Sequence, residues 1–461
     1  MITTRRLMLR ALSNSDIAKL QCVTKILVKD IERYNSEWFG RVGRATAVAV
    51  PTSVAEVSEL LKYCNNERIG VSTVGGNTGL VGGTLAGSGE LLVSLERLNK
   101  ILDVDTASAK ATVESGVILE ALQGEIARIG LGTPYDLGAR GSCTIGGNIA
   151  THAGGINFIK YGPLRGHVVG LEVVLADGTI VDAMSESWKD NSGLDVKQMF
   201  IGSEGTLGLI TKARLQCVPL PRFKSVAMLH SATPFAESVL RPLELARHHI
   251  GESLSAFEFF DAEGAGILPN LPEGISRTES GFTVLVEAAG AGPVEERLDR
   301  FLESLDASVD GVVASDNEGM RRLWNYREHL PVVMAKLGPN LKYDVSLPPL
   351  HYYELVENVR GQFASQVVKI VGYGHVADGN LHLNVALKPD SPIELSHAIS
   401  GSVYAFVKAH RGSISAEHGI GRDKLDRLSF SKSLESIEIM TKLKRMMDPN
   451  GILNPGRTLP W

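Results

Sequence analysis

The sequence predicts an α+β fold spread over more than one domain, and three observations carry that prediction. A chain of 461 residues exceeds what one ordinary hydrophobic core organises. Residues 45–218 alternate short strand and helix patterns between glycine loops. Beyond Pro219 and Pro221 the texture changes to longer helices and alternating strands until about residue 415.

Composition narrows the class. Hydrophobic residues make up 44% and charged residues 21%, as in a soluble globular protein. No run approaches the ~18 uninterrupted apolar residues of a membrane span. The net charge of -5 speaks against a nucleic-acid partner. Cys22, Cys64, Cys143 and Cys217 are scattered without a C-x-x-C, which suits a reducing compartment and offers neither a thiolate metal site nor a disulfide framework. Residues 1–15 hold three arginines, several hydroxyl residues and no acid; on a helix the leucines and methionine would oppose the arginines, as in a mitochondrial targeting segment. Localisation to the mitochondrial matrix is the expectation, with the cytoplasm as the alternative.

Taken in chain order, Ala45–Val50 reads as a strand ended by Pro51, and Ser53 caps the following helix with Glu56 completing a capping box. The stretch 170–182 reads as two strands around an Asp-Gly turn. Val284–Ala288 and Val367–Tyr373 are strands; Asn317–Leu337 is a helix with Pro331 inside it; another helix runs from Ser433 to Met447.

Three glycine clusters lie within about 140 residues: 75–83, 134–155 and 201–208. None is G-x-G-x-x-G, and none has the lysine and Ser/Thr of a P-loop, so triphosphate chemistry is not expected. Successive glycine amides still form a nest for phosphate oxygens. Three such loops with Asn, Thr and Ser donors point to a long pyrophosphate-containing cofactor.

The most informative stretch is Gly372–Asn384, which sets His375 and His382 on either side of Asp378-Gly379, a hairpin-turn dipeptide. A two-residue loop makes His375 face His382, with Cβ atoms about 5 Å apart, and Asn384 shares their face. The imidazoles then converge as two ligands of a divalent metal must. Ser415–Gly419 offers Glu417 as a third ligand with His418 beside it, and two histidines with one carboxylate leave a metal open to water or substrate.

These motifs occur in a fixed order: 75–83, 141–148, 201–208, the His375 hairpin, 415–421 and 452–456. Together they resemble the FAD-linked 2-hydroxy-acid dehydrogenases of the vanillyl-alcohol-oxidase fold, and most of all the members that act on D-2-hydroxyglutarate. The resemblance covers the chain from about residue 38 onward. It implies a PCMH-type FAD domain of two α+β subdomains, plus a substrate domain with an antiparallel sheet and flanking helices. The boundaries it suggests are a tail at 1–37, the FAD domain at 38–221, the substrate and metal domain at 222–420, and a C-terminal segment at 421–461 returning to the FAD domain.

The resemblance implies FAD contacts from Gly75, Gly76, Asn77, Thr78, Gly79, Gly82 and Gly83; from Pro134, Asp136, Gly138, Gly141, Ser142, Gly146, Gly147, Asn148, Ala153 and Gly154; and from Gly205, Ile210 and Asn454. Relatives that tether FAD through a histidine carry it in or near the first glycine loop. None stands in 75–83, so non-covalent FAD is expected. The metal of His375, His382 and Glu417 is expected to be zinc, with manganese or iron also compatible with such ligands.

Oxidation of a 2-hydroxy acid moves a hydride from Cα to the flavin while the hydroxyl loses a proton. A divalent cation lowers that hydroxyl's pKa, and His418 is assigned as the base, with a supporting hydrogen-bond role as its rival. Relatives that use 2-hydroxyglutarate read its far carboxylate with an arginine, a hydroxyl residue four positions later and a lysine; the matching positions are Arg327, Pro331 and Lys342, with Asn384 and His418 also facing the substrate. Pro331 departs from that pattern, supplying no hydroxyl and removing a helical N–H. The expectation is D-2-hydroxyglutarate oxidation to 2-oxoglutarate. A D-lactate or broader D-2-hydroxy-acid dehydrogenase is the first alternative, and a non-catalytic flavin-binding module a remote one. Electron-transfer flavoprotein or another acceptor receives the electrons; the oligomeric state is open, a homodimer among the options.

Overall fold

A computed structural model describes residues 9–461 except 39, 188, 276 and 277. It divides into two compact units. The first takes residues up to Gly154, Pro163–Pro219 and Glu417–Trp461; the second takes Gly155–Gly162 and Leu220–Ala416. The sequence places boundaries at 221 and 420, whereas the chain changes units after Pro219 and again after Ala416.

In the first unit β1 (Ile26–Leu27), β2 (Val48–Ala49), β3 (Val71–Val74) and β4 (Leu91–Ser94) form a sheet in the order β1-β2-β4-β3. The strand expected over 45–50 is only two residues long. The Val54–Asn66 helix buries Val57, Leu60, Leu61 and Cys64, the i, i+3, i+4, i+7 stripe of a one-sided helix, beside Val71, Leu91 and Val93. Ser53 caps it, accepting from Glu56 N–H at 3.3 Å. Glu56 itself reaches back to Thr52 N–H at 2.9 Å and not to the Ser53 N–H, so the expected box is only half formed.

Seven more strands follow: β5 (Ile101–Asp105), β6 (Lys110–Glu114), β7 (Leu131–Gly132), β8 (Val168–Val174), β9 (Ile180–Ala183), β10 (Leu209–Gln216) and β11 (Val218–Pro219). Five of them make an antiparallel sheet in the order β5-β6-β10-β8-β9, and β7 pairs with β11. β8 and β9 flank the Asp-Gly turn at Gly178, whose φ of +87° needs a residue without Cβ.

The ends of the chain join this unit. Val71 N–H donates to Ile452 C=O at 2.7 Å and Asn454 N–H to Val71 C=O at 2.8 Å, so residues 452–454 run beside β3. Residues 9–37, read from sequence as part of a tail, carry the Asn14–Leu20 helix and β1, with Leu20 wholly buried. Arg10 pairs with Asp16 at 2.7 Å. Residues 1–8, the first half of the segment read as a targeting sequence, lie outside the described residues.

The second unit is built on seven antiparallel strands: β12 (Phe223–Ser231), β13 (Leu254–Asp261), β14 (Phe282–Gly290), β15 (Asp310–Ala314), β16 (Asn340–Ser346), β17 (Lys369–His375) and β18 (Asn380–Ala386), ordered β15-β12-β14-β13-β17-β18-β16. The Asn317–Lys336 helix, capped by Asp316, buries Leu323, Arg327, Leu330 and Met334. Its apolar members pack with Met228, Phe260, Leu285 and Val371 on one face of the sheet. The helix passes through Pro331 unbroken to Lys336. Among the described residues no helix is long and apolar enough to cross a membrane.

Candidate functional site

In the second unit the polar residues gather where β13, β17, β18 and β16 lie side by side. The hairpin does not turn as its Asp-Gly dipeptide suggests. Val376–Asp378 form a 3₁₀ turn and Gly379 takes φ +80°, so the loop has four residues. His375 therefore pairs with Asn380, and His382 with Tyr373, correcting the direct His375–His382 pairing. The shift is two residues, and side chains alternate with period two, so both histidines keep the same face. They become diagonal neighbours with ring centroids 5.2 Å apart.

The glycines of the hairpin serve the opposite face. A Cβ on Gly372 would lie 2.8 Å from Val356, and one on Gly374 2.8 Å from the Tyr352 hydroxyl. They admit the Glu354–Phe363 helix and the tyrosine before it; the approaching groups are protein side chains.

A buried carboxylate organises the histidine face. Glu258 on β13 is 1% exposed and lies opposite His375. His375 Nδ1 donates to its Oε1 at 2.6 Å, and Arg327 meets its Oε2 through Nε at 3.0 Å and Nη2 at 2.9 Å. Burial opposes ionisation of Glu258, but His375 and Arg327 together hold its pKa below the usual carboxylate value. An ionised carboxylate only accepts, so Nδ1 carries the proton and, in the neutral imidazole, Nε2 carries the lone pair. Metal-ligating histidines are commonly oriented in this way. His382 has Asp344 as its cross-strand partner on β16, with Nδ1 3.8 Å from Oδ1.

Arg327 is 7% exposed, and its guanidinium lies 4.7 Å from the Tyr373 ring centroid. Pro331 is half-buried one helical turn further on. Lys342 lies opposite Asn384 on neighbouring strands, and burial pushes its pKa below the usual lysine value. Asn384 is buried and donates to the Tyr373 hydroxyl at 2.9 Å. Ala416, the last residue of this unit, donates its N–H to Asp344 C=O at 3.2 Å, and Glu417 is the next residue in the chain.

In the first unit the glycine loops close on one another. A Cβ at Gly76 would stand 2.0 Å from the Ser142 carbonyl oxygen, and one at Gly75 2.5 Å from Thr144 Oγ1. Only glycine fits there. Gly75–Asn77, Gly116–Ile118, Ala121, Ser142 and Thr144 line a cavity of about 780 Å³. Asn77, at φ +54°, is tied through its amide to Arg33 C=O and Ser36 C=O. Gly82 takes φ +67°, and a Cβ on Gly83 would stand 3.6 Å from the Glu204 carboxylate. Asp136 is paired with Arg140 at 2.7 Å, Asn148 is buried near Tyr135 and Cys143, and the Ile210 side chain belongs to the apolar core.

Gly205, at φ +70°, leaves room for Asn454, whose Oδ1 accepts from Thr73 N–H at 3.0 Å and whose Nδ2 donates to Glu204 C=O at 2.6 Å. Asn454 thereby fastens the third glycine loop and the C-terminal segment to β3. The Glu204 carboxylate receives Ile420 N–H at 2.7 Å and Gly421 N–H at 2.8 Å. Glu417 lies against Gly154, where a Cβ would come within 2.9 Å of its carboxylate, and His418 Nε2 is 3.7 Å from Glu417 Oε1.

Sequence reasoning missed Glu258, Asp344 and Gly116–Ile118. The visible signal for Glu258 is an acid in an otherwise apolar strand, Ala256-Phe-Glu-Phe-Phe260. Asp344 stands likewise between Tyr343 and Val345.

Comparison with known proteins gives the family and the fold. Residues 220–458 match the family described as FAD linked oxidases, C-terminal domain, and residues 45–184 match the FAD binding domain. The chain belongs to the FAD-linked oxidase family. It is 42% identical to a mitochondrial D-2-hydroxyglutarate dehydrogenase of Bos taurus, over 99% of this chain and 85% of the relative. It is 41% identical to a protein of Schizosaccharomyces pombe named a putative mitochondrial D-lactate dehydrogenase, over 92% of this chain and 84% of the relative. Among solved structures, p-cresol methylhydroxylase superposes with a TM-score of 0.76 at 17% identity, covering 98% of each chain. That likeness establishes the PCMH-type fold expected from the sequence. This FAD-linked oxidase is thus a flavin-dependent oxidoreductase, as its ordered motifs imply.

Proposed function

We propose that this FAD-linked oxidase oxidises D-2-hydroxyglutarate to 2-oxoglutarate, with non-covalent FAD and a zinc-class divalent metal held by His375, His382 and Glu417. The observation that carries the metal reading is the Glu258–His375 hydrogen bond. It fixes the tautomer that leaves Nε2 as a ligand atom on the face shared with His382. The glycine contacts across 75–76 and 142–144 support a cradle for a pyrophosphate, since only glycines let the two amide-rich loops close on one another. The named activity of the bovine relative supports the substrate.

When bound, FAD supplies the hydride acceptor and the metal lowers the pKa of the substrate hydroxyl. The chain supplies the rest. His418, adjacent to Glu417, takes the hydroxyl proton. Arg327 and Lys342 receive the far carboxylate, and Asn384 orients the substrate from the same strand face. A half-buried ammonium such as Lys342 gains from an incoming carboxylate, because the anion restores charge stabilisation that desolvation removed. Pro331 offers no hydroxyl to that carboxylate, which relaxes the preference for a dicarboxylic acid. Mitochondrial location, with electron-transfer flavoprotein as acceptor, follows the same reading.

The test compares D-2-hydroxyglutarate, D-malate and D-lactate. The highest kcat/KM is expected for D-2-hydroxyglutarate, and a maximum for D-lactate would overturn the substrate assignment. Anaerobic bleaching of the flavin by the D-acid should disappear on chelation and in His382→Ala. Bleaching that survives both would remove the metal from the reaction.

A further inference from the structure

We propose that His351, Glu354 and His410 form a second divalent-cation site of the zinc class, at the surface of the second unit and built from none of the residues of the candidate active site. One ligand atom from each of the three lies within 4.8 Å of the others.

The backbone brings these residues together from distant parts of the chain. His351 ends the 3₁₀ turn Pro349–His351, Glu354 opens the Glu354–Phe363 helix, and His410 is the C-terminal cap of the Ile393–Ala409 helix. The segments leading to them are clamped by a reciprocal pair of hydrogen bonds, Ser346 N–H to Ser413 C=O at 3.0 Å and Ser413 N–H to Ser346 C=O at 2.8 Å. Five residues beyond one end of that clamp and three before the other, the two imidazoles meet with centroids 4.0 Å apart.

The side chains are also oriented. Glu354 Oε2 lies 2.8 Å from His351 Nδ1, and the Phe406 ring packs against His410 with centroids 4.2 Å apart. Two imidazole nitrogens and one carboxylate oxygen are zinc ligands, and three of them leave one tetrahedral position for water. With ligand bonds of about 2.0–2.2 Å, tetrahedral ligand atoms stand roughly 3.4 Å apart. His351 and Glu354 are 36% and 53% exposed, which leaves room for side-chain rotation to bring the ligand atoms to that spacing. An ion here would tie the start of one helix to the end of another.

The experiment is equilibrium dialysis of the untagged holoprotein against buffered Zn²⁺, with bound metal counted by mass spectrometry and activity measured on the same samples. Wild type should hold one zinc equivalent more than His410→Ala, with kcat/KM unchanged. This difference is independent of how many ions the active site holds. Glu354→Gln, a change at an exposed side chain, provides a second variant should His410→Ala fold poorly, and it should lose the same equivalent. Zn²⁺ should also raise the Tm of wild type more than that of either variant. Equal zinc content and equal Tm shifts in wild type and the folded variants would overturn the proposal.

Discussion

His375 Nδ1 stands 2.6 Å from a carboxylate oxygen of Glu258, a residue 117 positions earlier in the chain. The bond joins adjacent strands β13 and β17, and the other oxygen of the same carboxylate holds Arg327. One buried acid therefore orients both a proposed metal ligand and a proposed substrate cation.

Glu258→Gln should weaken metal binding about 10- to 100-fold, the usual consequence of losing the partner that orients a ligating histidine. It also leaves Arg327 buried without its counter-charge, which costs about 3–5 kcal/mol. Metal titration and urea unfolding read the two effects separately. Unchanged metal affinity would mean that His375 needs no carboxylate behind it.

Glu258 also predicts a pH dependence. Its folded pKa lies below the usual value of 4.5, so its stabilising contribution is complete above that value and lost as pH falls through the depressed one. Urea midpoints measured from about pH 6 down to 3 should fall in wild type, with a shallower decline in Glu258→Gln.

Gly76→Ala should release FAD, because its Cβ would sit 2.0 Å from the Ser142 carbonyl and force two glycine loops apart. The overpacking costs about 1–3 kcal/mol. Gly79→Ala in the same loop meets nothing within 4 Å and should keep the flavin. The ratio of flavin to protein absorbance checks both, and equal flavin content in the two variants would contradict the cradle.

His418→Asn should lower kcat roughly 10²- to 10⁴-fold, as loss of a general base does, while the metal content stays at the wild-type level. Loss of the metal together with activity would instead make His418 a ligand or a support for one.

Pro331→Thr restores a hydroxyl one helical turn from Arg327. A gained hydrogen bond of about 1 kcal/mol raises the kcat/KM ratio of D-2-hydroxyglutarate to D-lactate about fivefold. An unchanged ratio would show that position 331 does not face the substrate.

The sequence alone was enough for whatever depends on local pattern. Glycine runs announced an FAD-binding domain, and period-two alternation kept His375 and His382 on one face even though the turn differed. The Asn317–Lys336 helix was legible from its apolar spacing despite Pro331. Only the tertiary structure decided what depends on neighbours in space. The Val376–Asp378 turn chose the strand register, because its 3₁₀ geometry competes with a two-residue hairpin loop that the dipeptide equally allows. Strand order brought Glu258 and Asp344 beside the histidines, and nothing local encodes which strands become adjacent. A carboxylate inside an apolar strand shows that some partner must exist, and the fold alone names His375 and Arg327.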